Sequence, residues 1–161
     1  MRHTLRPEDE ERLDLLSREF RAELQRRLPN VAVHEEFTDR LIVTIPARHP
    51  DTGPIRVRLD RDEITVGVGE YFHCHFETFL DSDAAIPEDQ RARVAAERAV
   101  DFISEFLADA IVLRVNKRAG FASAIWLFRP GAQSSIITTS NADSAREDET
   151  EYLWSGPRTQ R

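Results

Sequence analysis

Apolar residues recur at helical spacing near the N-terminus, where Leu13, Leu16, Phe20, Leu24 and Leu28 fall on one stripe. Pro7 suits a first helical turn, and Glu8, Asp9, Glu10 and Glu11 complement the positive end of the helix dipole. Arg26 and Arg27 stand near the negative end and Pro29-Asn30 supplies the stop, so the pattern predicts one helix from Pro7 to that stop. From Val31 the period changes to two. Val31, Val33 and Phe37 alternate with polar neighbours; Leu41, Val43 and Ile45 follow; Ile55, Val57 and Leu59 alternate with Arg56, Arg58 and Asp60; then come Ile64, Val66 and Val68. The links between these runs are too short for parallel crossovers, which predicts antiparallel pairing. Pro87, Glu88 and Asp89 open a second helix with Val94, Ala96, Val100, Ile103 and Leu107 on its apolar face, widened by Ala99, Phe102 and Phe106. Ile111 to Val115 reads as a strand. Phe121 to Phe128 reads as a central strand covered on both faces, and Glu151 to Trp154 as a short closing strand.

The expected fold is α+β: one domain over residues 1–161, an antiparallel sheet of about six to eight strands, and two main helices packed on one face. Residues 1–6 and 157–161 are expected to be loose ends, and the polar stretch 131–148 a mobile loop. Trp126 and Trp154 are expected in the core.

Composition narrows the function more than the fold. The chain has 161 residues and a formal net charge of -7, with Lys117 its single lysine. A nucleic-acid binder needs clustered cations to displace counterions, so nucleic acid is not an expected partner. No apolar run approaches the ~20 residues of a bilayer span, and the start, MRHTLRPEDEER, lacks a signal peptide's apolar stretch. One cysteine excludes a disulfide framework within the chain. The expected compartment is the cytoplasm. Acidic residues gather at Glu8 to Glu11 and between Asp143 and Glu151, where they can steer a basic partner.

One cluster stands out, His73-Cys74-His75-Phe76-Glu77. Taken as one extended segment from Glu63, parity puts Ile64, Val66, Val68, Phe72, Cys74 and Phe76 on one face. Tyr71, His73, His75 and Glu77 fall on the other. Three uses compete with plain structural histidines. Two imidazoles and Glu77 can present ligands to a metal, with His34, Asp81 or Asp83 as further candidates. A carboxylate such as Glu77 can orient a histidine for acid–base chemistry, although Cys74, the obvious nucleophile, points into the core among phenylalanines that raise a thiol pKa. Third, Tyr71, His73, His75 and Glu77 together suit a protein interface. No phosphate-cradling glycine loop and no Gly-x-Ser-x-Gly motif is present.

The run Ile64-Thr65-Val66-Gly67, then Tyr71 to Glu77, and a late Trp154-Ser155-Gly156 are similar to a pattern in small uncharacterised bacterial proteins. Some of these look like immunity proteins of polymorphic toxin systems. The resemblance covers about Ile55 to Gly156 and carries over no catalytic residue. It implies a cytoplasmic protein that binds and neutralises a toxin, with the acidic surface facing a basic partner; no cofactor is expected. The expectation is therefore a binding protein without catalysis, using Tyr71, His73, His75 and Glu77. The alternative is a metal-assisted hydrolase on His73, His75 and Glu77, and a homodimer formed through the sheet is a third reading.

Overall fold

The computed structural model describes residues 5–79, 85–116, 118–127 and 149–158, with the backbone alone for 123–127. The chain begins with a short helix α1 (Pro7–Glu10) and a longer α2 (Leu15–Arg27). The single N-terminal helix expected from the apolar stripe is thus broken. The Asp14 carboxylate accepts the Ser17 N–H at 2.8 Å and caps a new helix start. The stripe survives the break: Leu13, Leu16, Phe20 and Leu24 are all buried.

Five strands follow as a meander: β1 (His34–Phe37), β2 (Leu41–Ile45), β3 (Ile55–Asp60), β4 (Glu63–Val68) and β5 (Phe72–Glu77). They pair antiparallel in chain order. After α3 (Glu88–Leu107) come β6 (Ile111–Asn116), β7 (Phe121–Leu127), β8 (Glu149–Leu153) and β9 (Gly156–Pro157). These make a second sheet in the order β7-β6-β8-β9. The α+β class with antiparallel pairing and two long helices stands, but the strands divide into sheets of five and four instead of joining in one of six to eight. The division has a visible cause. Helix α3 separates the two groups in the chain and fills the corner between them. Phe102 lies against Phe72 and Phe76 of the first sheet at ring distances of 6.0 and 6.2 Å, and stacks on Phe106 at 6.3 Å. Phe106 meets Trp154 edge-on at 5.8 Å, which places Trp154 in the core.

Strand β7 is not central. Among the described residues it is an outer strand of its sheet, and β6 beside it is buried on both faces, from Ile111 through Val115. Buried Arg114 on β6 pairs with buried Glu151 at 3.1 Å, and Arg158 holds the other Glu151 oxygen at 3.1 Å. Within the expected loose ends, Leu5 joins the core, Pro157 lies in β9 and Arg158 is paired, while residues 1–4 and 159–161 lie outside the described residues. The Trp126 side chain and the stretch 131–148 lie outside the described residues.

Helices α2 and α3 pack on each other and share one apolar cluster with Leu41, Val43, Ile45, Ile55, Val57, Leu59, Ile64, Val66 and Val68. Buried Ala92, Ala95, Ala96 and Ala99 add little bulk along α3. At the edge, Glu35 of β1 turns inward opposite Val43 and takes the Arg21 guanidinium on both oxygens, at 2.9 and 3.0 Å. An inward charge on an edge strand discourages further strand pairing there.

The loop before β3 locks onto the β4–β5 turn through two glycines. Gly53 has φ +77° and Gly69 φ +54°. A Cβ on Gly53 would sit 2.7 Å from the Gly69 Cα, and one on Gly69 would sit 2.5 Å from the Thr52 carbonyl oxygen. Only glycine permits that approach. Gly120 also has positive φ, +73°, but nothing lies within 4 Å of its would-be Cβ. Gly69→Ala is therefore expected to lower unfolding free energy by about 2–4 kcal/mol, and Gly120→Ala by only about 1 kcal/mol. Urea denaturation of both variants checks this; equal losses would mean that the close approach is not what Gly69 provides.

Candidate functional site

The segment 63–77 is a hairpin, not one extended strand. Its turn at Gly69 and Glu70 brings Glu63 opposite Glu77, Thr65 opposite His75 and Gly67 opposite His73. Because directly opposed residues share a face, the expected parity survives the fold. Phe72, Cys74 and Phe76 turn toward the core, while His73, His75 and Glu77 are exposed. Strand β3 extends this outer face with Arg56 beside Gly67 and Arg58 beside Thr65, both exposed.

Tyr71 is the exception among the four expected site residues. It lies in the turn, half-buried, and stacks on Tyr152 at 6.2 Å with the rings 9° from parallel. Its carbonyl oxygen accepts the Ala122 N–H at 2.8 Å. Tyr71 thus joins the two sheets and presents only part of itself to solvent.

The two imidazoles stand 5.1 Å apart, edge to face. His75 Nδ1 lies 2.8 Å from Glu63 Oε1, and the Thr65 hydroxyl donates to the same oxygen at 2.9 Å. A carboxylate only accepts, so Nδ1 carries the proton, and in the neutral ring Nε2 is the acceptor. The orienting carboxylate is Glu63, across the strand pair, and not Glu77. The hydrogen bond from His75 holds the Glu63 carboxyl below the usual glutamate range, against the smaller opposing effect of burial. Burial among phenylalanines pushes the Cys74 thiol up to about 12, and its Sγ donates a weak hydrogen bond to the Val66 carbonyl at 3.8 Å.

The structure separates other residues that the sequence offered as ligands. His34 stands on β1, the far edge of the sheet, four strand spacings or about 19 Å from β5. Asp81 and Asp83 lie outside the described residues. Among the described residues, no three His, Cys, Asp or Glu side chains gather closely enough to hold a metal ion.

Beside the histidines an open groove of about 550 Å³ runs between the outer sheet face and the start of β7. Arg56, Arg58, Thr65, Gly67, His73, Tyr71 and Phe121 line it, with Glu70 at the turn. Phe121 is 56% exposed. Sequence reasoning passed over Arg56, Arg58 and Phe121. The alternation in β3 did signal that both arginines face away from the core, but only the strand order shows that they face the histidines.

The acidic stretches engage arginines of the same chain. Glu8 and Asp9 pair with Arg6, Glu10 with Arg21, and Glu149 and Glu151 with Arg114. Residues 143–148 lie outside the described set. No described helix is long and apolar enough to cross a membrane. Comparison of the chain with family models, with curated proteins and with solved structures gives no match.

Two predictions follow from the chemistry of the hairpin. At pH 8 the native Cys74 thiol should react with iodoacetamide about a thousandfold more slowly than in the urea-unfolded chain, because so little thiolate is present. Equal rates, read by mass spectrometry, would place the thiol outside the core. Because the Glu63 carboxyl is lowered from 4.5, the stability it contributes is present above that pH and is lost as pH falls through the lowered value. In a His75→Val variant the Glu63 midpoint should rise toward 4.5, followed by carboxyl carbon NMR; an unmoved midpoint would assign the lowering to another group.

Proposed function

We propose that this is a cytoplasmic binding protein without catalysis, which recognises a partner protein through the outer face of β3, β4 and β5. The observation that carries the reading is the one-sided hairpin. His73, His75 and Glu77 are exposed on a sheet whose other face is sealed by two helices. Imidazole rings on a rigid sheet lose little entropy when they dock. The Glu63–His75 pair fixes one ring in place before any partner arrives. The cysteine in the cluster is turned inward with its thiol protonated, so it offers no nucleophile to this face. The immunity-like resemblance supplies the specific form: occlusion of a toxin's working surface. Pairing of the acidic stretches within the chain moves the expected contact from those patches to the sheet.

A photo-crosslinking amino acid at position 77, on the open end of the outer face, should capture a defined protein in lysate of the source cells. The same group at Val94, exposed on α3, should not. Capture should be lost in a His73→Asp/His75→Asp variant that keeps the wild-type melting temperature. Tyr71 is unsuited to this test because its ring supports the fold. Identical capture from positions 77 and 94 would contradict the reading.

The second reading, metal-assisted hydrolysis on His73, His75 and Glu77, has the 5.1 Å ring separation in its favour and the lack of any three-ligand group among the described residues against it. Stoichiometric zinc uptake that disappears in His73→Ala/His75→Ala would favour it over pure binding, and absence of uptake would retire it.

A further inference from the structure

Gly67 sits in the middle of the outer face, between Arg56 on β3 and His73 on β5. Glycine in a strand interior weakens the strand, so its presence calls for a reason. The backbone supplies none, since Gly67 is not among the positive-φ glycines. Sterics supply none either. A Cβ there would meet the Arg56 and Phe72 carbonyl oxygens at 3.6 and 3.7 Å, which is ordinary contact. What the missing side chain does is leave open the floor of the 550 Å³ groove.

The walls have a definite chemistry. Arg56 makes no ion pair among the described residues, whereas Arg58 is shared with Asp60 at 2.9 Å. His73 adds a ring without a side-chain hydrogen bond among the described residues. Among the described residues Glu70 is the groove's one lining carboxylate, against Arg56 and Arg58. Phe121, more than half exposed, and Tyr71, stacked on Tyr152, supply the aromatic part of the lining. The volume lies in the range of small-molecule pockets and far exceeds a bare oxyanion.

The geometry points to a binding site for a small organic anion, a carboxylate or phosphate carried on a flat apolar body. The anionic group lies over Gly67 on Arg56, with Arg58 and His73 beside it, and the flat body rests against Phe121 and Tyr71. Guanidinium groups match carboxylate and phosphate oxygens in pairs, and the exposed aromatic edge favours a ring over an aliphatic chain. This site occupies the turn end of the face, away from position 77, and does not rest on the protein-partner reading.

The test is amide NMR on the full chain titrated with benzoate and with phenyl phosphate. At least one should give saturable shifts confined to the amides of Gly67, Gly69, His73, Phe121 and Ala122. Acetate, inorganic phosphate and neutral benzamide should each bind at least about tenfold more weakly, because each lacks one half of the recognition. Arg56→Gln should weaken the better probe about tenfold or more. Gly67→Val fills the floor with a strand-favouring side chain, so it should keep or raise the melting temperature while abolishing the shifts. No saturable shift with either aromatic anion would overturn the proposal. So would unchanged affinity in a folded Gly67→Val or Arg56→Gln protein. Benzamide binding as well as benzoate would also overturn it, by removing the anion from the recognition.

Discussion

The packing of Phe72 and Phe76 beneath Phe102 decides how this molecule meets its surroundings. Phe102 is 2% exposed, and the strand it covers alternates with a period of two. Once two phenylalanines of β5 are fixed under α3, His73, His75 and Glu77 must face the other way. A slip of one residue would bury the charges and expose the rings, at a cost of several kcal/mol for the aromatic area alone. The same phenylalanine stacks on Phe106, which reaches Trp154. One helix thus sets the orientation of the candidate face and joins the two sheets.

The second link lies at the turn. Gly53 and Gly69 approach closely enough to exclude any side chain, and the Gly69 N–H donates to the Pro54 carbonyl at 2.8 Å. That contact positions Tyr71, whose ring meets Tyr152 and whose carbonyl takes the Ala122 N–H. The start of β7 is thereby brought beside the outer face of β3 and β4, and a groove exists where a flat sheet would have had none. The loop also reaches the second sheet directly, through the Thr52 hydroxyl on the Leu153 carbonyl at 3.0 Å.

Much of this was legible from local pattern. The strands from Leu41 to Val68, the second helix and the inward cysteine follow from period and flanking residues, because each is decided within a few positions. The one-sided placement of His73, His75 and Glu77 also follows, since an antiparallel hairpin preserves parity. What depended on tertiary arrangement was hidden. Alternation continues across the turn at Gly69, so the pattern reads as one extended segment and leaves Glu63 remote from His75. The break at Asp14 was masked by an apolar stripe that runs unbroken through it. Phe121 to Phe128 is apolar enough to suggest a central strand, yet the central position among the described residues goes to β6, whose buried Arg114 is made tolerable by Glu151 on a strand 37 residues later. Nothing local announces such a partner. The arginines of β3 gain meaning only from the strand order, which places Arg56 beside Gly67 and Arg58 beside Thr65.

The account stands on an outer sheet face that is open to solvent. Carbethoxylation of the native chain by diethylpyrocarbonate, mapped by mass spectrometry, tests that directly. His73 and His75 should each be modified within about threefold of their rates in the urea-unfolded chain, because Glu63 engages only the Nδ1–H of His75 and leaves its Nε2 free to react. Protection of His73 by about a hundredfold or more would show the face to be covered and would contradict the account.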